Sequence, residues 1–220
     1  MEGRRTAIQP IDSVIEVLLR EGSVAGADGV LRPLHPVALP THTAAVLGDW
    51  VLRERAVHTI EIGLAFAFSA LHICRALLLN GQPGARHVVT DPHQLKGYAS
   101  AGIRVLEQAG VQHLVEFHPE ESQLLLPRFI KDGRSFDLGF VDGNHRFDYV
   151  FVDLFFLGRL IRKGGAVIVD DYDLPGIRRA VAFFIANLGW TVEAVVDDRM
   201  AVVRTAAASD ARDFRFFVDF

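Results

Sequence analysis

Two apolar runs that stop abruptly in acid constrain this chain more than any other feature. One is Leu138–Val141, which delivers Asp142; the other is Ala166–Val169, which delivers Asp170 and Asp171. Short, wholly apolar, β-branched runs suit strands covered on both faces, the usual state of a parallel sheet. Val150–Ile161, between them, carries apolar residues at helical spacing, and Lys163-Gly164-Gly165 is expected to end that helix with a basic last turn and a glycine stop. A strand–helix–strand unit crosses over right-handedly, so both strands point the same way. Asp142, Asp170 and Asp171 are then expected to gather at the carboxyl edge of the sheet, where open α/β folds bind ligands.

The rest of the chain repeats that unit. Strands are expected at Val57–Ile62, His87–Thr90 and Gln112–Phe117, alternating with helices at Ser69–Leu79, around Ala99–Ala109, and at Glu120–Phe129, with Pro119 starting the last. A helix at Gly176–Leu188 follows the central unit, and Trp190–Val196 and Met200–Val203 alternate around Asp197-Asp198-Arg199 as an antiparallel hairpin. The expected fold class is α/β: a Rossmann-like, doubly wound, seven-stranded sheet, mostly parallel, with an antiparallel C-terminal hairpin and helices on both faces. Reversal of strand order in the middle would open a crevice beside the first and fourth strands. One domain is expected over 1–220. Residues 1–56 would form a helical cap (Ile11–Arg20 and Ala44–Arg55 helical, Glu21–Pro40 irregular), 57–205 the core and 206–220 a tail.

Composition narrows the partners. The net charge of −4 argues against nucleic acid, which calls for clustered Lys and Arg. A single cysteine, Cys74, permits no internal disulfide and fits a reducing cytoplasm. No signal-peptide core follows the polar first residues, and no apolar run reaches the ~18 residues of a membrane span. A soluble cytoplasmic protein acting on a small molecule is expected. Sixteen phenylalanines, four of them in the tail, fit either a full core or a partner surface, and a homodimer is one expectation that follows.

Three places carry chemistry. Glu61-Ile62-Gly63 through Ser69 is a strand-to-helix turn of small residues, which lets a ligand approach the backbone and the free N–H groups of a helix start. Ser69 could add a hydroxyl to a bound carboxylate, or the turn could simply need little side-chain volume. Asp91 ends the next strand, placed to accept hydrogen bonds from two ribose hydroxyls or to sit in a solvated turn before Pro92. Asp142, Asp170 and Asp171 repel one another unless a cation joins them, and a hard divalent ion such as Mg²⁺ offsets that cost; helix capping is the alternative. His145, three residues after Asp142, reads as a general base for a substrate hydroxyl or as a histidine bonded to a helix start. Asp173 reads as a turn residue, and His42, His93 and His118 as structural.

The Glu-x-Gly-x-x-x-x-x-Ser turn, with Val-Asp-Gly-Asn-His-Arg-Phe and Gly-Gly-Ala-Val-Ile-Val-Asp-Asp-Tyr, resembles the class I S-adenosylmethionine-dependent methyltransferases. Within them it is similar to the cation-dependent O-methyltransferases of the catechol and macrocin type, over roughly Ala44–Val203. The resemblance implies methyl transfer from S-adenosylmethionine to a hydroxyl of a small molecule, assisted by Mg²⁺ or another divalent cation. It implies that Gly63 and Ser69 face the cofactor's amino-acid end, that Glu61 also serves the cofactor, and that Asp91 meets its ribose and a residue of 118–122, with Glu121 the choice, its adenine. Asp142, Asp170 and Asp171 fall on the family's metal ligands. His145 stands where the catechol enzymes have a lysine, and Ala67 where the family usually has glycine.

Rival readings keep the sheet and change the chemistry. A metal-independent methyltransferase would work with Asp142 or His145 alone. A nicotinamide-dependent oxidoreductase predicts glycines at 65 and 67, where this chain has alanines. A non-catalytic nucleotide-binding module would use the Phe-rich tail to hold a partner.

Overall fold

The computed structural model describes residues 2–220. Seven strands follow the hydrogen-bonded order β5-β4-β3-β6-β7-β9-β8, and two short ones pair separately as β1-β2. The chain packs as two compact units, one ending at Glu121 and the other spanning Ser122–Phe220.

The first unit holds α1 (Glu2–Glu21), β1 (Ser23–Ala25), β2 (Leu31–Pro33), α2 (Thr41–Arg53), β3 (His58–Ile62), α3 (Phe68–Asn80), β4 (Arg86–Thr90), α4 (Ala101–Gln108) and β5 (Val115–His118). β3, β4 and β5 are parallel. In β3 and β4 only the first residue is exposed, so the polar residues Thr59, Glu61, His87 and Thr90 are buried with the apolar ones and must find partners inside. Two expectations need correction here. α1 begins well before Ile11 and carries Pro10 inside it. The stretch expected to be irregular contains the antiparallel β1–β2 pair, whose strands are too short to show an alternating pattern.

The second unit holds α5 (Ser122–Lys131), β6 (Phe136–Val141), α6 (Phe147–Leu160), β7 (Ile161–Val169), α7 (Pro175–Leu188), β8 (Thr191–Val196) and β9 (Met200–Arg204). β6 and β7 are parallel, and β9 runs antiparallel to both β7 and β8. Leu138, Phe140, Val167, Ile168 and Val169 are fully buried, as strands covered on both faces require. Lys163-Gly164-Gly165 does not close α6. The helix ends at Leu160, and these residues bulge within β7, where the ladder passes from Phe136–Ile161 directly to Leu138–Ala166. Gly164 takes φ 69°, so the glycine that looked like a helix stop supplies the left-handed residue of a bulge. Pro119 likewise lies outside α5, which starts at Ser122.

The β8–β9 turn has Asp197 and Asp198 at φ 52° and 55°, as its acidic sequence anticipates. The tail is anchored through Asn187, whose amide donates to the Val218 carbonyl at 2.9 Å and accepts from its N–H at 2.8 Å. Phe220 packs edge-on against Phe183, while Phe214 is 87% exposed. No helix among the described residues is long and apolar enough to cross a membrane.

Candidate active site

In the first unit the turn between β3 and α3 is held from below by acids. Glu61 and His87 are completely buried. Thr59 and His87 are register partners in the parallel ladder, and Glu61 lies two residues along the same face. His87 therefore bridges them, with Nε2 2.7 Å from Glu61 and Nδ1 2.9 Å from Thr59 Oγ1. A hydroxyl donated to Nδ1 and an Nε2–H donated to the carboxylate satisfy every group. Ser69, at the start of α3, donates to the other oxygen of Glu61. Ser69 and Glu61, which the resemblance assigns to the cofactor, are bonded to each other.

Asp91 reaches the same turn. Its Oδ2 accepts from the backbone N–H of Leu64 (3.2 Å) and Ala65 (2.9 Å) and from the Gln94 amide (3.0 Å). Its Oδ1 accepts from His93 N–H at 2.7 Å. Oδ2 is fully occupied, whereas Oδ1, with one donor, keeps a lone pair to offer. The backbone so held is unusual: Gly63, Ala65 and Ala67 have φ of 97°, 44° and 63°. Left-handed alanine costs roughly 1–2 kcal/mol, which the Asp91 bonds offset. Glu121 is exposed at the end of this unit. His118, expected to be structural, lies 2.8 Å from Glu116.

In the second unit the acids stand at the carboxyl ends of adjacent parallel strands. Asp170 N–H bonds to the Val141 carbonyl at 3.0 Å, extending the β6–β7 ladder by one rung to the level of Asp142. Asp171 then turns left-handed at φ 51°, a conformation that aspartate tolerates, and the two neighbouring carboxylates diverge. Asp170 points inward, with its side chain wholly buried, and Asp171 points toward His145, whose Nδ1 bonds its Oδ2. Asp142, His145 and Asp171 each offer a ligand atom, all within 4.8 Å of one another.

Asp170 is not in that cluster. Arg199, from the β8–β9 turn, forks onto it: Nε lies 3.0 and 3.1 Å from its two oxygens and Nη2 2.6 Å from Oδ2. The same Nη2 lies 2.9 Å from Asp171 Oδ1. The turn is held over the strand ends by its backbone, since Tyr172 N–H donates to the Arg199 carbonyl at 2.6 Å. These contacts set the electrostatics. The hydrogen bond to Asp171 raises the His145 pKa, and that same contact lowers Asp171's. Burial raises the Asp170 carboxyl while the guanidinium pulls it down, and Asp170 in turn raises Arg199.

Sequence reasoning missed Arg199, His87 and Gln94. His87 could have been found, because a histidine aligned with the first strand's Thr59 is legible once both strands are drawn in parallel register. Arg199 read only as turn chemistry, and nothing in its spacing says which strand ends the turn overlies.

Residues 60–172 match a family model described as a methyltransferase domain. Caffeoyl-CoA O-methyltransferase 3 of Nicotiana tabacum is 30% identical over 140 residues, covering 59% of this chain and 55% of that protein. The chain thus spans little more than half the length of such curated relatives. Among solved structures, the O-methyltransferase TomG of Streptomyces achromogenes, involved in tomaymycin synthesis and bound to SAM, superposes with a TM-score of 0.66 at 22% identity over 90% of each chain. An O-methyltransferase of Bacillus cereus in complex with SAH gives 0.68 at 16% identity, over 89% of this chain and 90% of that one. At these identities the shared property is the fold.

Proposed function

We propose, from the premise that this chain belongs to the family of methyltransferase domains, that it transfers the methyl group of S-adenosylmethionine to a hydroxyl of a small molecule with help from a divalent cation. The observation that carries this reading is the convergence of Asp142, His145 and Asp171 at the tips of two adjacent parallel strands. Two carboxylates and an imidazole this close form a donor set that fits a divalent ion. Mg²⁺ is commonly held by one or two carboxylates, with water and substrate filling its other positions. Asp142 and Asp171 would hold it, and its chemistry there is to lower the pKa of an acceptor hydroxyl.

The remaining steps belong to the chain. His145 has Nδ1 committed to Asp171, which leaves Nε2 to accept the hydroxyl proton, and its side chain is half exposed, within a substrate's reach. Asp171 orients that ring. In the first unit the β3–α3 turn would receive the cofactor, with Gly63 letting it approach the backbone and Ser69 and Glu61 stiffening the turn from beneath. Asp91 would accept a ribose hydroxyl at Oδ1, which carries a single donor, and Glu121 would stand toward the adenine. Because methyl transfer quenches the sulfonium charge, in-line positioning dominates catalysis, an effect that can reach about 7–11 kcal/mol. The relatives named for caffeoyl-CoA point to a phenolic hydroxyl as acceptor, and the chain's acidity fits a small molecule better than a nucleic acid.

The test is transfer of labelled methyl from S-adenosylmethionine to a panel of phenols and sugars, with and without EDTA. Turnover that EDTA removes and Mg²⁺ restores is expected. Turnover indifferent to EDTA removes the cation, and no transfer to any hydroxyl removes the reading.

A further inference from the structure

Of the three acids at the β6 and β7 tips, Asp170 is the most buried, and a guanidinium takes both its oxygens. Arg199 is itself held in place from both directions, by its fork onto Asp170 and by its backbone bond to Tyr172. We propose that Arg199 is a positioning residue that withdraws Asp170 from the cation, so that the ion is held by Asp142 and Asp171 and keeps a water where a third carboxylate would otherwise bind. This rests on the cation reading above.

The physical basis is competition for one carboxylate. A forked guanidinium matches the two oxygens of a carboxylate in a single plane, and the bidentate pair is strong because both partners are charged. A divalent ion wanting Asp170 would have to break that fork and leave the guanidinium, a third exposed, beside its own charge. Arg199 also bonds one oxygen of Asp171, which orients the other toward His145. The guanidinium thus does two things at this edge: it neutralises the acid the ion does not use, and it aims the one it does. A site with two carboxylates binds its ion more weakly than one with three, and it leaves more of the ion's positions for acceptor oxygens.

The experiment measures the ion itself, not turnover. Chelator-treated protein is titrated with Mn²⁺ by calorimetry, and the water bound to Mn²⁺ is counted from its effect on solvent proton relaxation. For Arg199→Gln, Mn²⁺ should bind about tenfold tighter, the scale expected when a neighbour of a ligand is changed, and bound water should fall by about one as Asp170 replaces it. Arg199→Gln combined with Asp170→Asn should restore the wild-type water count. Arg199→Lys keeps the charge without the fork and should lie between. An unchanged water count in Arg199→Gln, with wild-type protein binding Mn²⁺, overturns this inference and leaves the cation reading standing. Failure of wild-type protein to bind Mn²⁺ overturns both. Should Arg199→Gln not fold, the Lys variant alone decides, because an unaltered water count there is equally fatal.

Discussion

The carboxylates of the first unit and those of the second are partnered by different chemistry. Glu61 and Asp91 are met by hydroxyl, imidazole, amide and backbone N–H groups, almost all from within the β3–β4 region. Asp170 and Asp171 are met by Arg199, 29 positions on from Asp170, and by His145. Hydrogen bonds from a fixed backbone are directional and define a shape, and the first set holds Ala65 in a left-handed conformation. Charged partners on a turn and a half-exposed side chain can be traded for another cation. The first arrangement suits a turn that must keep its form, the second a place where charge is exchanged.

Breaking the second set should have the largest effect. Asp171→Ala removes the group that orients His145 and would hold the ion, so methyl transfer should fall by about 10²–10⁴-fold while calorimetric binding of S-adenosylhomocysteine survives. Full turnover in that variant would reduce Asp171 to a turn residue. Asp153 sharpens the comparison, since it is a buried acid that accepts from a hydroxyl, Ser122 Oγ at 2.5 Å. Burial pushes its pKa up from 3.8 to about 7. Between those values the folded state holds a proton that the unfolded state has released, so stability falls as pH rises through that window and stays low above it. Asp153→Asn should therefore stabilise the protein little at pH 4.5 and by on the order of 4 kcal/mol at pH 8, read from urea unfolding at the two pH values. A gain independent of pH would mean that Asp153 carries no raised pKa.

The first set is tested by Glu61→Ala, which strands the donors of His87 and Ser69 in a dry interior. A loss of about 3 kcal/mol in unfolding free energy is expected, with a smaller loss for Glu61→Gln, whose amide oxygen still accepts one bond. The smallest effect should come from Asp142→Asn. Removing a carboxylate that repels Asp171 should shift stability by less than about 1 kcal/mol even as methyl transfer falls. A large stability loss there would make Asp142 a structural acid like Glu61, and the contrast between the two units would fail.

Much of this was readable in the chain. Leu138–Val141 and Ala166–Val169 announced β6 and β7 because a strand buried on both faces leaves no polar position to blur the pattern. Asp142 and Asp171 followed, since a right-handed crossover fixes which end of each strand they occupy. Gly164 misled because a glycine after a helix and a glycine in a bulge meet the same local need for positive φ; the ladder decides between them. Asp170 and Asp171 are neighbours of identical type, and their sequence gives no sign that one turns inward to Arg199 and the other outward to His145.

By itself, then, the sequence determined the order of elements, the parallel direction of the strands and the edge at which acids would collect, because burial pattern and crossover handedness are local or nearly local. Tertiary structure alone decided which partner each acid received. That choice depends on a left-handed φ at Asp171 and on where the β8–β9 turn comes to rest, and pairing across such distances along the chain leaves no periodic trace.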